Sequence, residues 1–157
     1  MPVSKKPRKK HRKVYALVNP IEHAIAGAAI TDTARLDSLR TRELSALEAF
    51  THGKATRIEW MDLADMANVA ETMARRGTGP EVLTVCEHAN LALRRTHARF
   101  KSLGVMALDG PGLQVLRDLY EYHDLQRSSV SRAEYERCIK LTADRIRGAA
   151  PDVKVLV

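Results

Sequence analysis

Aromatic residues are scarce in this 157-residue chain, where Phe, Trp and Tyr together make up 4%. Ala, Leu, Arg and Glu are plentiful instead, and this composition favours helices over β-sheet. Long apolar runs are also missing, and no stretch approaches the ~20 residues that a membrane span needs. The cationic start is followed by no secretory h-region, because the apolar run at residues 14–18 is too short. We therefore expect a cytoplasmic protein without a membrane partner.

Cysteine is nearly absent, with Cys86 and Cys138 far apart in the sequence and each on an apolar helical face. We expect two reduced core thiols, the usual state in the cytosol, and a disulfide between them is the alternative. A domain of this size buries about two-thirds of the surface of its unfolded chain. Neither a disulfide nor a structural metal is therefore required for folding.

Signature motifs of catalysis and metal binding are missing too. The chain has no Gly-x-Ser-x-Gly, no phosphate-cradling glycine loop and no His-Glu-x-x-His. Its histidines do not fall at metal-ligand spacings, and His123 is expected to be a hydrogen-bonded core residue. Cys86 with His88 or His97 would make a thiol–imidazole pair, but a thiol within a packed apolar arc is a poor nucleophile. We predict no enzyme activity, no cofactor and no metal.

Apolar residues recur at helical spacing along most of the chain. In residues 80–103 they fall within an arc of roughly 120° on a helical wheel, and we predict that the other helices pack around this one. These residues are Val82, Val85, Cys86, Ala89, Ala92, Leu93, Thr96, Phe100 and Leu103. The same periodicity predicts a helix that follows a cap cluster at residues 31–33 and runs to about residue 51. It also predicts helices over residues 56–76, 109–127 and 131–147, and a short helix over residues 20–30.

Helix-start and helix-end signals agree with this periodicity. Capping boxes are predicted at Thr56/Glu59, Thr78/Glu81 and Ser131/Glu134, and Asp109 is a predicted N-cap. Terminating glycines are predicted at Gly53, Gly77, Gly104 and Gly148. Short connections imply antiparallel neighbours, so the sequence predicts an all-α antiparallel bundle of five main helices. We assign residues 1–18 to an N-terminal arm, 19–148 to the bundle and 149–157 to a C-terminal tail.

Charge is unevenly distributed along the chain. Residues 1–13 contain seven cations and no acidic residue: Lys5, Lys6, Arg8, Lys9, Lys10, Arg12 and Lys13. The other 19 Lys and Arg equal the 19 Asp and Glu in number, so the net charge of +7 comes from this segment. We expect a disordered basic arm ahead of an electrically neutral body.

A basic arm of this kind is typical of segments that lie along the backbone of DNA or RNA. Each neutralised phosphate releases counterions, which makes the binding strongly dependent on salt. Such contacts position a protein and carry little sequence information. A solvated tail is the simpler interpretation. A nuclear-localisation signal and a segment that binds an acidic protein surface are two further ones.

Two other sites are candidates for nucleic-acid contacts. Arg95 and Arg99 lie together beside the apolar arc of residues 80–103, although cations near a helix end also offset its dipole. Residues 125–140 loosely resemble a helix-turn-helix, in which Arg132 would stand where base contacts are made. Glu134 and Glu136 oppose this second interpretation, and the capping box at Ser131 explains the same residues.

The basic run 4–13, the Asn19-Pro20 pair and a helical body carrying Gly53-Lys54-Ala55-Thr56 form a recognisable layout. It resembles small helical proteins encoded by phages and integrated elements of proteobacteria, some of which are labelled Fis-type transcriptional regulators. The resemblance implies a mobile-element origin and a location in the host-cell cytoplasm. It carries no catalytic residue to this chain.

Two functional hypotheses follow from these patterns. The first is a nucleic-acid-binding accessory or regulatory protein whose arm contacts phosphates. The second is a phage or mobile-element interaction module that binds and modulates a host protein or complex. Homo-oligomerisation is compatible with both hypotheses, because helices of alternating charge often pair with copies of themselves.

Overall fold

The computed structural model describes residues 33–149, which form five α-helices and contain no β-strand. The helices are α1 (Thr33–Thr51), α2 (Arg57–Arg75), α3 (Val82–Leu103), α4 (Gly110–Ser128) and α5 (Arg132–Gly148). The predicted all-α bundle of five main helices is thereby confirmed. The predicted arm, the helix predicted over residues 20–30 and all of the predicted tail except Ala149 lie outside the described residues.

Helix α2 is the centre of the bundle, because it packs against each of the other four helices. Ten of its side chains are buried, and four of them are alanines that let neighbouring helices approach closely. The prediction that residues 80–103 organise the fold is therefore wrong. Helix α3 is the longest helix, but it packs mainly against α2 and α4. Its narrow apolar arc marks a helix that is covered on one side, whereas α2 is covered on several.

The predicted burial of His123 is confirmed, as is that of most of the apolar arc of residues 80–103. Leu103 is the clear exception, since it is 71% exposed although it lies on the predicted apolar arc of α3. It belongs to the last turn of α3, next to the C-cap Gly104. The helical wheel gave the direction of Leu103 around the helix axis correctly. Periodicity does not show how far along that axis the neighbouring helices extend.

Helix α5 departs from the predicted antiparallel order. Consecutive helices pack as expected from α1 to α4, but α5 makes its main contacts with α2, not with its sequence neighbour α4. Helix α4 is already packed against α1, α2 and α3. Across the α2–α5 interface the Thr142 hydroxyl donates to the Thr72 hydroxyl at 2.7 Å. Next to this contact, Arg145 donates to the Asn68 carbonyl at 3.2 Å.

Three of the four predicted N-caps are found at the starts of helices. At Thr56 the capping box is complete, because Glu59 accepts the Thr56 N–H at 2.7 Å and Thr56 accepts the Ile58 N–H at 3.2 Å. Asp109 caps α4 by accepting the Gly112 N–H at 2.8 Å. Ser131 caps α5, but the Glu134 carboxylate pairs with Arg76, so that this box is only half formed.

The capping box predicted at Thr78 and Glu81 is wrong. Glu81 is the N-cap of α3 and makes no side-chain capping bond. A turn of backbone hydrogen bonds starts the helix instead, with the Val82 N–H donating to the Gly79 carbonyl at 3.0 Å. At the helix ends, Gly53, Gly77 and Gly104 have the predicted positive φ. The prediction for Gly148 is wrong, because Gly148 is the last residue of α5 and lacks a positive φ.

Thr56, which caps α2, and Thr78, which caps no helix, make a matched pair for a stability test. We expect Thr56→Ala to lower the free energy of unfolding by about 1 kcal/mol, because it removes a hydroxyl cap and its reciprocal box. Thr78→Ala should change the free energy of unfolding by less than half of this amount, because the Thr78 side chain caps no helix. Urea unfolding of the two variants measures the difference, and equal losses would contradict the capping geometry.

Candidate nucleic-acid interface

Most arginines of the described body are neutralised by a carboxylate. Ten of them, on or next to α1, α2, α4 and α5, form salt bridges. They are Arg35, Arg40, Arg42, Arg75, Arg76, Arg127, Arg132, Arg137, Arg145 and Arg147. Their positive charge is matched within the protein, so these parts of the surface offer a polyanion little net attraction.

Five exposed cations at one end of α2 are not matched in this way. They form no salt bridge with any carboxylate of residues 33–149, and we call them the basic surface: Lys54, Arg57, Arg94, Arg95 and Lys101. The sequence contains no acidic residue between Glu87 and Asp109. Nearby carboxylates are occupied by capping, since Glu59 accepts from Thr56 and Asp109 accepts from Gly112.

The site residues predicted from the sequence fall in different places. Arg95 is exposed and is counted in the basic surface, but it lines a groove between α3 and α4 together with Asp109 and Pro111. Arg99 is half-buried, and its Nη1 donates to the Ala107 carbonyl at 2.6 Å, which ties the α3–α4 connection to α3. Arg132 is half-buried and lies 3.7 Å from the Glu136 carboxylate. The seven predicted arm cations, Lys5 to Lys13, lie outside the described residues.

Arg132 also lies far from the other two arginines. The neighbouring Glu134 pairs with Arg76, just beyond the C-terminal end of α2. The basic surface lies at the opposite end of α2, where the α3 residue His97 stacks on Trp60. The structure thus brings Arg95 and Arg99 together on α3 and places Arg132 at the other end of the bundle.

The contact between Trp60 and His97 fixes the geometry of the basic surface. The Trp60 side chain is 2% exposed, and its Nε1 donates to the Leu93 carbonyl of α3 at 3.0 Å. The half-buried His97 ring stacks on the indole with 5.1 Å between centroids and 28° between planes. Burial, Lys101 and Arg57 all lower the pKa of His97, so the ring is neutral at neutral pH. Sequence spacing gave no signal for this contact between two helices.

A buried ionic network joins α1 to α4 and was also missed by the sequence analysis. Arg127 is 0% exposed and donates to Glu43 at 2.9 Å and to Asp124 at 2.9 Å. Asp124 also accepts from Arg40 at 2.9 Å. Burial raises the pKa of Glu43, although the hydrogen bond from Arg127 opposes this shift. The network satisfies its own charges and leaves none for a ligand.

A groove of about 220 Å³ runs between α1, α2 and α5. Its walls are mainly apolar and include Leu39, Met66, Val69, Ile139 and Ile146. The buried side chains of Glu43, His123 and Tyr135 also line it. The exposed charged residues Arg42 and Asp65 also line the groove. The arrangement can accept an apolar side chain, because most of its wall area is apolar.

Candidate metal ligands and the two cysteines can be examined in the part of the chain that the structure describes. Residues 33–149 contain no group of three or more His, Cys, Asp and Glu that could hold a metal ion. Both cysteines are buried and unpaired, which confirms the two core thiols. Burial raises the pKa of Cys86 to about 12, so that it stays a thiol at neutral pH. Among these residues no helix combines the length and apolarity needed to cross a membrane.

Comparison with known proteins returns no relative for this chain. No family model, curated protein or solved structure matches it.

The buried histidine gives a pH-dependent stability prediction. His123 is 1% exposed, and its Nδ1 lies 3.2 Å from the Gln126 Oε1. The Gln126 amide donates to the Thr78 carbonyl at 2.8 Å, so its oxygen faces the ring and accepts from a neutral His123. Burial, with a contribution from Arg127, lowers the pKa of His123 to about 4.

We expect His123 to destabilise the fold as the solution is acidified. Its pKa falls from 6.5 in the unfolded chain to about 4 in the folded protein. Between these values the unfolded chain binds the proton and the folded protein does not, so unfolding is favoured as pH falls. The loss from this group reaches about 3 kcal/mol at the lower end. Urea unfolding of the wild type and His123→Gln against pH isolates the effect, and parallel pH profiles would contradict it.

Proposed function

We propose that this protein is a non-enzymatic, cytoplasmic nucleic-acid-binding accessory or regulatory protein. The observation that carries the proposal is the division of charge within the described body. Ten arginines are paired with carboxylates, whereas five of the seven exposed cations without a salt bridge in residues 33–149 belong to the basic surface; the other two are Arg117 and Lys140. Phosphates supply the missing negative charge, and the counterions that they release favour the complex.

Helix-dipole stabilisation does not account for all of these cations. Lys101 is in the last turn of α3, where a cation is favourable without any ligand. Arg94 and Arg95 lie more than two turns before the end of α3, beyond the range of this effect. Arg57 is the first residue of α2, where the positive end of the dipole disfavours a cation. An anionic partner explains these positions.

The seven cations of the arm belong to the same proposal. Their sequence composition supports phosphate contacts that strengthen binding without selecting a sequence. The arm and the basic surface together supply the attraction, and the neutral remainder of the body supplies shape. The mobile-element origin implied by the sequence layout fits an accessory role on DNA or RNA.

Charge reversal on α3 tests the proposal. We expect Arg94→Glu, Arg95→Glu and Lys101→Glu together to weaken nucleic-acid binding at least about tenfold. The slope of log affinity against log salt should fall by roughly 2 to 3, because each lost phosphate contact removes about 0.7 to 0.9. Fluorescence anisotropy with a labelled oligonucleotide over a salt series measures both quantities.

A matched control exists on α5. Arg137→Glu, Lys140→Glu and Arg147→Glu change the net charge by the same amount at exposed positions away from the basic surface. This triple variant should keep most of its affinity and its salt slope. A further full-length variant replaces all seven arm cations with Gln to measure the contribution of the arm. Equal effects of the two charge-reversal variants would contradict a localised surface, and absence of salt-dependent binding would contradict the proposed function.

The apolar groove favours a second candidate function, that of an interaction module for a host protein. Ile139 on its wall is 40% exposed, and a groove between helices is a common acceptor for the apolar face of a partner helix. A protein retained from nuclease-treated host lysate by the wild type should be lost with Ile139→Glu. The α3 charge-reversal variant should still retain it. Retention by Ile139→Glu would contradict a role for the groove.

A further inference from the structure

The His97 ring lies within the basic surface, near unmatched cations of both α2 and α3. Arg57 on α2 and Lys101 on α3 are both near enough to affect its protonation. The ring is held in place because it stacks on Trp60, which is itself tied to the α3 backbone at Leu93. An oriented aromatic ring is thus combined with two cations that no described carboxylate neutralises.

We infer that the basic surface recognises single-stranded nucleic acid, with an unpaired base stacked on His97 and the adjoining phosphates bound by Arg57 and Lys101. The inference rests on the proposed function and adds the class of ligand. Surfaces for single strands combine cations that follow the backbone with aromatic rings on which bases stack. In the described body these two components meet at His97.

The electrostatic state of His97 suits this role. Because burial and the two neighbouring cations lower its pKa, the ring is uncharged at neutral pH and offers a π face without the hydration shell of a cation. Trp60 fixes the ring plane before any ligand arrives, so that little side-chain entropy is lost when a base stacks. Arg57 and Lys101 are exposed and have no competing salt bridge in residues 33–149.

A duplex cannot use this arrangement in the same way. Its bases are stacked on one another, and their faces become accessible only in single strands, loops or frayed ends. A duplex can still contact the cations of the basic surface through its phosphates. Stacking on His97 therefore predicts a preference for single strands that the charges do not produce by themselves. Base stacking is tolerant of sequence, so DNA and RNA single strands share this chemistry.

The test uses the full-length protein with a labelled oligothymidylate of about 12 nucleotides and with a duplex of equal length. We expect His97→Ala to weaken single-strand binding roughly 5- to 100-fold, the range that one stacked base contributes. Duplex binding should change less than about threefold. His97→Phe retains an aromatic face and should keep single-strand affinity within a few-fold of the wild type. His88→Ala, an exposed histidine on the same helix, is the matched control and should leave both affinities unchanged.

Trp60 supplies a readout that needs no variant, because it is the only tryptophan in the chain. A base stacked on His97 should alter the fluorescence emission of Trp60 when the oligothymidylate is added to the wild type. The emission change and the anisotropy should saturate at the same oligonucleotide concentration. Unchanged Trp60 emission through saturation would overturn the inference even where His97→Ala fails to fold.

The outcomes separate the inference from the proposed function. If the duplex binds as tightly as the single strand, or if His97→Ala binds the oligothymidylate like the wild type, stacking on His97 is wrong while phosphate binding stands. Equal weakening by His97→Ala and His97→Phe would also overturn it, because an aromatic face would then be irrelevant. Loss of all salt-dependent binding in the wild type would remove the proposed function itself.

Discussion

The burial of Trp60 between α2 and α3 is the constraint on which the geometry of the basic surface depends. The indole hydrogen bond to the Leu93 carbonyl sets the start of α2 against the second half of α3. With this register, Arg57 lies near enough to His97 to lower its pKa, although 40 positions separate the two in the sequence. A buried hydrogen bond in the core thereby helps to determine which charges lie together at the surface.

Charge is handled differently in different parts of the molecule. Between α1 and α4 the fully buried Arg127 is matched by Glu43 and Asp124, because an unpaired charge at this position would cost several kcal/mol. On α5 and the C-terminal half of α2, exposed arginines are paired with nearby carboxylates. Around the C-terminal end of α3, the exposed cations are hydrated by solvent and are not paired with carboxylates. Phosphate groups would replace that solvent without displacing any internal partner.

The sequence predicted the helices well and their arrangement less well. Periodicity, the Thr56 box and the glycines after α1, α2 and α3 are local signals, and the structure agrees with them because each acts within a few residues. Which helix is central depends on how many neighbours cover it. The alanines of α2, weak as a hydrophobic signal, allow that close packing. The position of α5 on α2 depends in the same way on long-range contacts such as Thr142 with Thr72.

The candidate site was only partly accessible to sequence reasoning. Arg95 and Arg99 were found because helical periodicity places them together beside the apolar arc of α3, although Arg99 binds a backbone carbonyl. His97 and Arg57 were missed as a pair, because their proximity arises from the packing of α2 on α3. The buried Glu43 did leave a signal. It lies between Leu39 and Leu47 on one apolar stripe of α1, and a residue at such a position is expected to face the core and not the solvent.

The direction of α1 has a consequence for the size of any bound ligand. Arg35, near the start of α1, pairs with Glu136 at the end of the bundle opposite the basic surface. Helix α2, with 19 residues, separates these two ends by about 28 Å. Thr33, the first described residue, therefore lies roughly 28 Å from the end of α2 at which Trp60 and His97 lie. A polymer held at both ends of α2 has a minimum footprint set by the length of that helix.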